Sequence, residues 1–324
     1  MDLMRLLDVL SDGEYHSGVE MGRLLGVSRT AIWKALGKLE AEGIVLDVVK
    51  GKGYRIDGGL DLLNSEDIAA YLASRSIFLD NLYLLQEVDS TNSFLMRDDV
   101  EAKGYSLCLA ERQTAGRGRR GREWHSPYAK NLYMSISFSL PGGAEVLEGL
   151  SVVLGVAIAN CLSSRGVPNV GLKWPNDIWV DGKKLAGILV ELKGEAEFGW
   201  KVVAGLGINV RMSEHEGMQV DQPWTSIERL VGDASLERSL WASALTESLI
   251  ETIDRYRIEG LQGLLADWSK FDILQGRQVE LSVGGVLGLC HGIDSRGRLL
   301  VDVNGKMSAV NAGEVSVRPN ESSD

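Results

Sequence analysis

Apolar residues in the first sixty positions follow a helical period and then switch to alternation. Leu3, Leu6, Leu7 and Leu10 recur at i, i+3, i+4 and i+7, one face of a short helix. Ser17 and Glu20 have capping-box spacing and open a second helix through Met21, Leu24 and Leu25. Gly26 supplies a tight turn, and Ser28 is an N-cap for a third helix. In that helix Ile32, Leu36 and Leu39 point inward, while Thr30, Trp33, Lys34 and Lys38 point outward with Arg29 at the start. After Gly43 the period becomes two, predicting two strands joined at Lys50-Gly51-Lys52-Gly53. Three short helices and a basic hairpin predict a winged helix-turn-helix. Trp33 has a second option, packing under the wing.

Asp57-Gly58-Gly59 reads as a linker, after which Ser65 and Glu66 open an apolar helix to about residue 79. A mixed α/β pattern then runs to about residue 270. Its clearest strand is 131–140, with Met134, Ile136, Phe138 and Leu140 on one face and three serines on the other. Further strands are predicted at 105–111, 185–192 and 201–210, and helices at 145–164 and 236–256. From 276 to 319 short strands alternate with turn signals at Gly284-Gly285, Asp294-Ser295-Arg296-Gly297 and Asn304-Gly305, as a small barrel requires. The chain is therefore read as an α+β multidomain protein with units at 1–60, 61–272 and 273–324.

A length of 324 residues suits two or three domains. The longest uncharged stretch, 149–164, is interrupted by Ser151, Asn160 and Ser163 and falls short of the roughly 20 apolar residues a spanning helix needs. The N-terminal residues meet acids early and lack the order of a secretory signal. Cys108, Cys161 and Cys290 are far apart and odd in number, and the four histidines are scattered. Reduced thiols, a cytoplasmic location, no membrane association and no zinc site are the expectations.

With 34 Lys+Arg and 45 Asp+Glu the net charge is −11, which argues against non-specific nucleic-acid binding by the whole molecule. Two basic islands change that picture. Between Arg29 and Arg55 six basic residues face three acids, placing Ser28, Arg29, Thr30, Trp33, Lys34 and Lys38 for a major groove. Lys50, Lys52 and Arg55 on the wing are expected to meet backbone phosphate. A protein-interaction module of the same shape is the plainer alternative, which the basic wing disfavours.

The second island, Arg112 to Arg122, holds five arginines and no acid. Within it Gly116-Arg117-Gly118-Arg119-Arg120-Gly121 has the letters of a dinucleotide fingerprint, but Pro127 breaks any following helix and no acid occurs between Glu123 and Glu145. No GK[ST] closes a Walker loop either. The glycines and arginines instead describe a mobile, cationic loop able to close over a polyphosphate or acyl-phosphate. Lys173-Trp174-Pro175-Asn176-Asp177 and then Lys184 form a hairpin with its polar groups at one end. Asp89-Ser90-Thr91-Asn92 would cap the next helix, and Gln113 precedes the arginine loop. Gly205-Leu206-Gly207-Ile208-Asn209 leaves room for something flat against the backbone.

Together, STN at 90–92, GRGRRG at 116–121, KWPND at 173–177, KLAGILVEL at 184–192 and GLGINV at 205–210 resemble the biotin–protein ligases. With the helix-turn-helix the chain resembles the bifunctional members that also repress biotin synthesis genes, from about residue 5 to 318. The resemblance implies a winged helix, a central mixed sheet like that of class II aminoacyl-tRNA synthetases and a C-terminal SH3-like barrel. It implies synthesis of biotinyl-5′-AMP from biotin and ATP with Mg²⁺. It also implies transfer of biotin to a lysine of the biotin carboxyl carrier protein of acetyl-CoA carboxylase. No enzyme nucleophile is needed, in keeping with the absence of a Ser/His or Cys/His constellation.

By the same resemblance Arg117, Arg119 and Arg120, assisted by Arg122, face the phosphates, and Lys184 lies beside the biotin carboxylate and α-phosphate. Asp177 is assigned to orienting or deprotonating the incoming lysine. Ser90, Thr91, Asn92 and Gln113 match biotin-pocket positions, and Trp224 the aromatic on the adenine side. Gly116, Gly118, Lys173, Asn176, Gly187, Gly205, Gly207 and Asn209 complete the expected adenylate site, with no protein-held metal. Operator DNA with an inverted repeat and an adenylate-dependent homodimer are the implied partners. A sensor without ligase activity and a lipoate or octanoate ligase are the alternatives. Intact lysines and arginines weigh against the first, and GRGRRG with KWPND against the second.

Overall fold

The computed structural model describes residues 3–41, 43–97, 104–195, 199–232, 236–282, 285–312 and 317–319. The N-terminal unit comprises α1 (Leu3–Leu10), α2 (Gly18–Leu25), α3 (Arg29–Ala41), β1 (Asp47–Val49) and β2 (Gly53–Arg55). Both halves of the Ser17–Glu20 capping box form, and Gly26 closes α2 in the left-handed region at φ 68°. Ser28 Oγ accepts the Ala31 N–H at 3.2 Å. Leu6, Leu7, Leu10, Met21, Ile32, Leu36 and Leu39 are buried together, joined by Tyr128 and Ala129 from the next unit. Leu24, expected on the inner face, is 48 % exposed, because the side of α2 that turns inward runs through Met21, Gly22 and Leu25. Trp33 is 66 % exposed and does not pack under the wing.

The central unit holds α4 (Ser65–Ser74), β3 (Asn81–Val88), α5 (Thr91–Arg97), β4 (Ser106–Gln113), β5 (Leu132–Leu140) and α6 (Leu150–Ser164). It continues through β6 (Val170–Lys173), β7 (Asp177–Val180), β8 (Lys183–Glu195) and β9 (Gly199–Ile208). Then come α7 (Glu214–Gly217), α8 (Ile227–Val231), α9 (Arg238–Glu259) and α10 (Leu265–Phe271). Asn64, not Ser65, caps α4, and the helix ends at Ser74 rather than 79, with Ser76 at φ 60°. The helix expected from 145 starts at Leu150, because Gly149 turns left-handed at φ 69° after a 3-10 turn. The last long helix is displaced from 236–256 to Arg238–Glu259.

Seven strands form one mixed sheet in the order β3-β4-β5-β9-β8-β7-β6, with β3 and β4 parallel and the other pairs antiparallel. Since side chains alternate along a strand, the register sorts the residues into two faces. Met134, Ile136, Phe138, Val202, Ala204, Leu206 and Ile208 join the core under α4, α6 and α9. The opposite face carries the row Asp177, Gly187, Gly207, Tyr133, Ala110 and next to it Leu189, Gly205, Ser135, Cys108. A third row is Glu191, Val203, Ser137, Ser106. The serine face of β5 is thus buried: Ser135 is 0 % and Ser137 3 % exposed. Helix α5 covers part of it through Leu95 against Cys108 and Val203.

Arg238 is fully buried and pairs with buried Glu111. Its other donors reach the carbonyls of Asp61 and Asn131, and Glu111 also accepts the Leu63 N–H at 2.7 Å. This network fastens the linker to β4, β5 and α9. A buried charge pair of this kind is costly to break on one side, about 3–5 kcal/mol.

The C-terminal unit is a five-stranded antiparallel sheet of β10 (Gln278–Leu281), β11 (Val286–Ile293), β12 (Leu299–Val303), β13 (Lys306–Val310) and β14 (Val317–Pro319), ordered β13-β12-β11-β10-β14. Of the turn signals, Gly284 lies outside the described residues, while the other two join β11 to β12 and β12 to β13. The Trp174 indole N–H donates to the Gly297 carbonyl at 2.9 Å, so the sheet sits against the turn after β6. Among the described residues no helix is long and apolar enough to cross a membrane.

Candidate functional site

The site is built on the glycine rows of the polar sheet face. A side chain at Gly207 would lie 2.3 Å from the Trp124 indole, and one at Gly187 would meet the same ring at 3.1 Å. Missing side chains there do admit something flat, and in this structure it is Trp124. One residue pair along β9, a Cβ at Gly205 would strike the Asn92 amide at 2.3 Å. The glycine spacing thus makes room for two of the protein's own side chains. The Trp124 indole N–H is buried and has no acceptor among the described residues.

Lys184 reaches over Gly187 beside that ring. Its Nζ lies 3.0 Å from Asp177 Oδ1, with the two side chains 13 % and 21 % exposed, and 5.5 Å from the Trp124 ring centre. Its backbone is clipped on both sides: Lys184 N–H donates to Pro223 and Thr225 N–H donates back. Trp224, between those residues, packs on Gly217 with Arg229 4.3 Å above its ring. Trp124, His125, Lys184, Asn209, Met212 and Trp224 line a cavity of about 120 Å³. The Asn209 side-chain amide holds the Thr225 carbonyl at 3.0 Å.

The glycine–arginine loop leaves β4 and closes on itself through Gly118 N–H to Arg122 O (2.7 Å) and Trp124 N–H to Gly116 O (2.9 Å). A Cβ at Gly116 would lie 2.6 Å from the Trp124 carbonyl and 2.9 Å from Ser126 Oγ, which leaves it no room. Arg120 adopts φ 58°, a left-handed conformation uncommon outside glycine. Arg119 donates to Asn176 Oδ1 at 3.0 Å and to the Ala312 carbonyl of the C-terminal sheet. Burial, and the neighbouring charge of Arg120, depress the pKa of Arg119; a guanidinium nevertheless keeps its charge at neutral pH. Asn176 in turn binds the Ile188 carbonyl at 2.8 Å. Lys173 stands 4.1 Å over the Trp179 ring.

On the other flank Thr91 and Asn92 lie inside α5. Gln113 Oε1 accepts the Thr91 N–H at 2.9 Å, so a residue from β4 supplies the stronger cap, while Ser90 Oγ is 3.5 Å from the Ser93 N–H. Ser135 Oγ lies 2.7 Å from both Thr91 Oγ1 and Asn92 Oδ1. Asn92 gives its two amide hydrogens to the Leu189 carbonyl (3.1 Å) and to Glu191 (2.8 Å). Both amide hydrogens and one Oδ1 lone pair are thereby engaged within the protein. Just before α5, Asp89 pairs with Arg97, which lowers its pKa to about 2.

Sequence reasoning missed Trp124 and Glu191. Trp124 follows the arginine loop by three residues, and a large aromatic after a glycine-rich loop was a usable signal. Glu191 ends the apolar run of β8 on the same face as Gly187, which alternation alone could have shown.

In the N-terminal unit Arg29, Thr30, Trp33, Lys34, Lys38, Lys50, Lys52 and the cap Ser28 are all exposed. Arg55 departs from its expectation. It is held by Asp47 at 2.9 Å and Asp57 at 2.8 Å and stacks 4.6 Å over Tyr15, which bonds Asp47 as well. These pairs tie the wing to the segments around Tyr15 and Asp57. Among the described residues no group of three or more His, Cys, Asp or Glu could hold a metal ion.

Residues 84–209, which hold most of the central sheet, match the family model described as the biotin/lipoate A/B protein ligase family. Residues 3–55 match an HTH domain, and residues 275–318 a biotin protein ligase C-terminal domain. The bifunctional ligase/repressor BirA of Escherichia coli is 38 % identical over 320 residues, covering 98 % of each chain, and that of Salmonella typhimurium is 37 % identical with the same coverage. A solved biotin protein ligase from Aquifex aeolicus, in complex with biotin and ATP, superposes with a TM-score of 0.64 at 28 % identity. It covers 75 % of this chain and 100 % of its own. The class is thus that of the biotin/lipoate protein ligases. Within it, the chain belongs to the BirA family of bifunctional ligase/repressors.

Proposed function

We propose that this protein activates biotin with ATP to biotinyl-5′-AMP, transfers biotin to a lysine of the acetyl-CoA carboxylase carrier protein, and represses biotin synthesis genes with the adenylate as corepressor. The observation that carries the ligase reading is Lys184 over Gly187, 3.0 Å from Asp177, on a glycine floor beneath Trp124.

In the first half-reaction a biotin carboxylate oxygen attacks the α-phosphorus of ATP and pyrophosphate leaves. Two anions must approach, so the protein's contribution is positive charge already in place. Lys184 supplies it at the meeting point, held there by Asp177 and by the backbone clip at Pro223 and Thr225. Arg117, Arg119, Arg120 and Arg122 supply it along the phosphates. Mg²⁺ arrives as part of the nucleotide substrate, held chiefly by its phosphates. Trp224 and Asn209 take the adenosine side, and Trp124 and the α5 flank, Ser90, Thr91, Asn92 and Gln113, take biotin. Closing the loop keeps water from the mixed anhydride.

In the second half-reaction the lysine amine attacks the acyl carbon and AMP leaves. Asp177 orients the amine or accepts its proton. Repression rests on the exposed face of α3 and on the wing, which offer arginine, lysine and threonine to an inverted repeat. The required dimer is supported by β8: from Val190 onward it pairs with β9 alone among the described residues, leaving a strand edge open. We assign divisions near residues 60 and 272, and a cytoplasmic location.

The test is intact-mass spectrometry of a biotin carboxyl carrier domain after incubation with this protein, biotin and Mg·ATP. One biotin adduct that requires every component is expected. No adduct, or an equal adduct from lipoate, would overturn the reading.

A further inference from the structure

Glu191 touches both flanks of the site at once. Its carboxylate accepts from the Asn92 amide of α5 at 2.8 Å and from Arg117 of the glycine–arginine loop at 3.1 and 3.2 Å. The same Arg117 nitrogen bonds Ser93 Oγ at 2.8 Å. The pair is partly open to solvent, with side chains 46 % and 30 % exposed, which makes it a weak one. An arginine bonds phosphate as it bonds carboxylate, through charge-assisted and often bidentate hydrogen bonds, so a phosphate can take the place of this half-exposed carboxylate.

We propose that Glu191 is a positioning residue that competes with the substrate's phosphates for Arg117. Without nucleotide it parks Arg117 against α5 and keeps the loop cation from wandering. When phosphates arrive, Arg117 exchanges one partner for the other, and Glu191 keeps its second duty of orienting Asn92. The inference rests on the reading that Arg117 meets the anionic part of the ligand.

The two duties separate by substitution. Glu191→Gln removes the charge but still offers an oxygen to the Asn92 amide. Glu191→Ala removes both. The measurement is steady-state pyrophosphate release with a saturating biotin carboxyl carrier domain as acceptor, titrating Mg·ATP and biotin separately. For Glu191→Gln the expected result is a KM for Mg·ATP about two- to fivefold lower, the scale of a half-exposed ion pair, at unchanged KM for biotin. For Glu191→Ala the nucleotide KM falls likewise while the biotin KM rises. In an Arg117→Ala background, where the nucleotide KM is raised, Glu191→Gln changes nothing further. A nucleotide KM unmoved or raised by Glu191→Gln, with Arg117→Ala still raising it, overturns the proposal and leaves the loop reading intact. An Arg117→Ala enzyme with wild-type KM for Mg·ATP removes the loop reading itself, and the proposal with it.

Discussion

Leu206 and Gly207 are neighbours in β9 and serve opposite sides of one sheet. Leu206 is 5 % exposed in the core under the helices, whereas Gly207 underlies the Trp124 ring. One face is built by adding volume and the other by withholding it. The apolar face gains by every methylene it covers, roughly 0.8 kcal/mol for each. The polar face gives up that gain at its glycines and serines so that Asn92, Trp124 and Lys184 lie close to the backbone. Along β5 and β9 stability and chemistry are separable by the parity of residue number, whereas in β8 a register shift against β7 brings Lys184 to the same face as Gly187.

Gly207→Ala breaks the comparison hardest. Its new Cβ would sit 2.3 Å from the Trp124 ring, so the indole must leave its place. Adenylate formation should fall on the order of 100-fold, the cost of misplacing a site by about 1 Å. Circular dichroism should show a melting curve close to wild type. Leu206→Ala should do the reverse. It should cost about 2–5 kcal/mol in chemical denaturation, with kcat/KM per folded molecule nearly unchanged.

The basic islands extend the same contrast. Lys38→Ala lies on the exposed side of α3 and should weaken operator binding almost uniformly across sequences, lowering the salt slope by about one. The rate of carrier biotinylation should stay at wild type. The smallest effect concerns Asp89, whose carboxyl is lowered to about 2 by Arg97. A folded-state value below the ordinary one near 3.9 means stability present above roughly pH 4 and lost as pH falls toward 2. An NMR titration of the Asp89 carboxyl should give a midpoint near 2 that rises in high salt or in Arg97→Ala.

Much of this architecture was legible in the chain. The Ser17–Glu20 box, Gly26 and the basic wing place α2, α3 and the hairpin because caps and turns are local chemistry. Period-two alternation located β5, and strands were expected where β4, β8 and β9 lie. What escaped was set by distant partners. Nothing near Arg238 announces that it ends up wholly buried against Glu111, and nothing near Arg55 announces that Asp47 and Tyr15 claim it. The cap of α5 was read from Asp89-Ser90-Thr91-Asn92, yet Gln113, on another strand, supplies the stronger hydrogen bond. In the site, lysines and arginines were found through their motifs, whereas the partners of Trp124 and Glu191, Gly207 and Arg117, are set by packing between segments far apart in the chain.

The claim at the centre is that the glycine-floored face forms the adenylate, with Lys184 providing the charge where carboxylate and α-phosphate meet. Single-turnover formation of biotinyl-5′-AMP from biotin and Mg·ATP, compared between wild type and Lys184→Gln, tests it most directly. A slowing of about 10²–10³-fold, the cost of one lost transition-state donor, with an unchanged far-ultraviolet spectrum, is the predicted result. A wild-type rate in Lys184→Gln would contradict the account and move the chemistry elsewhere in the molecule.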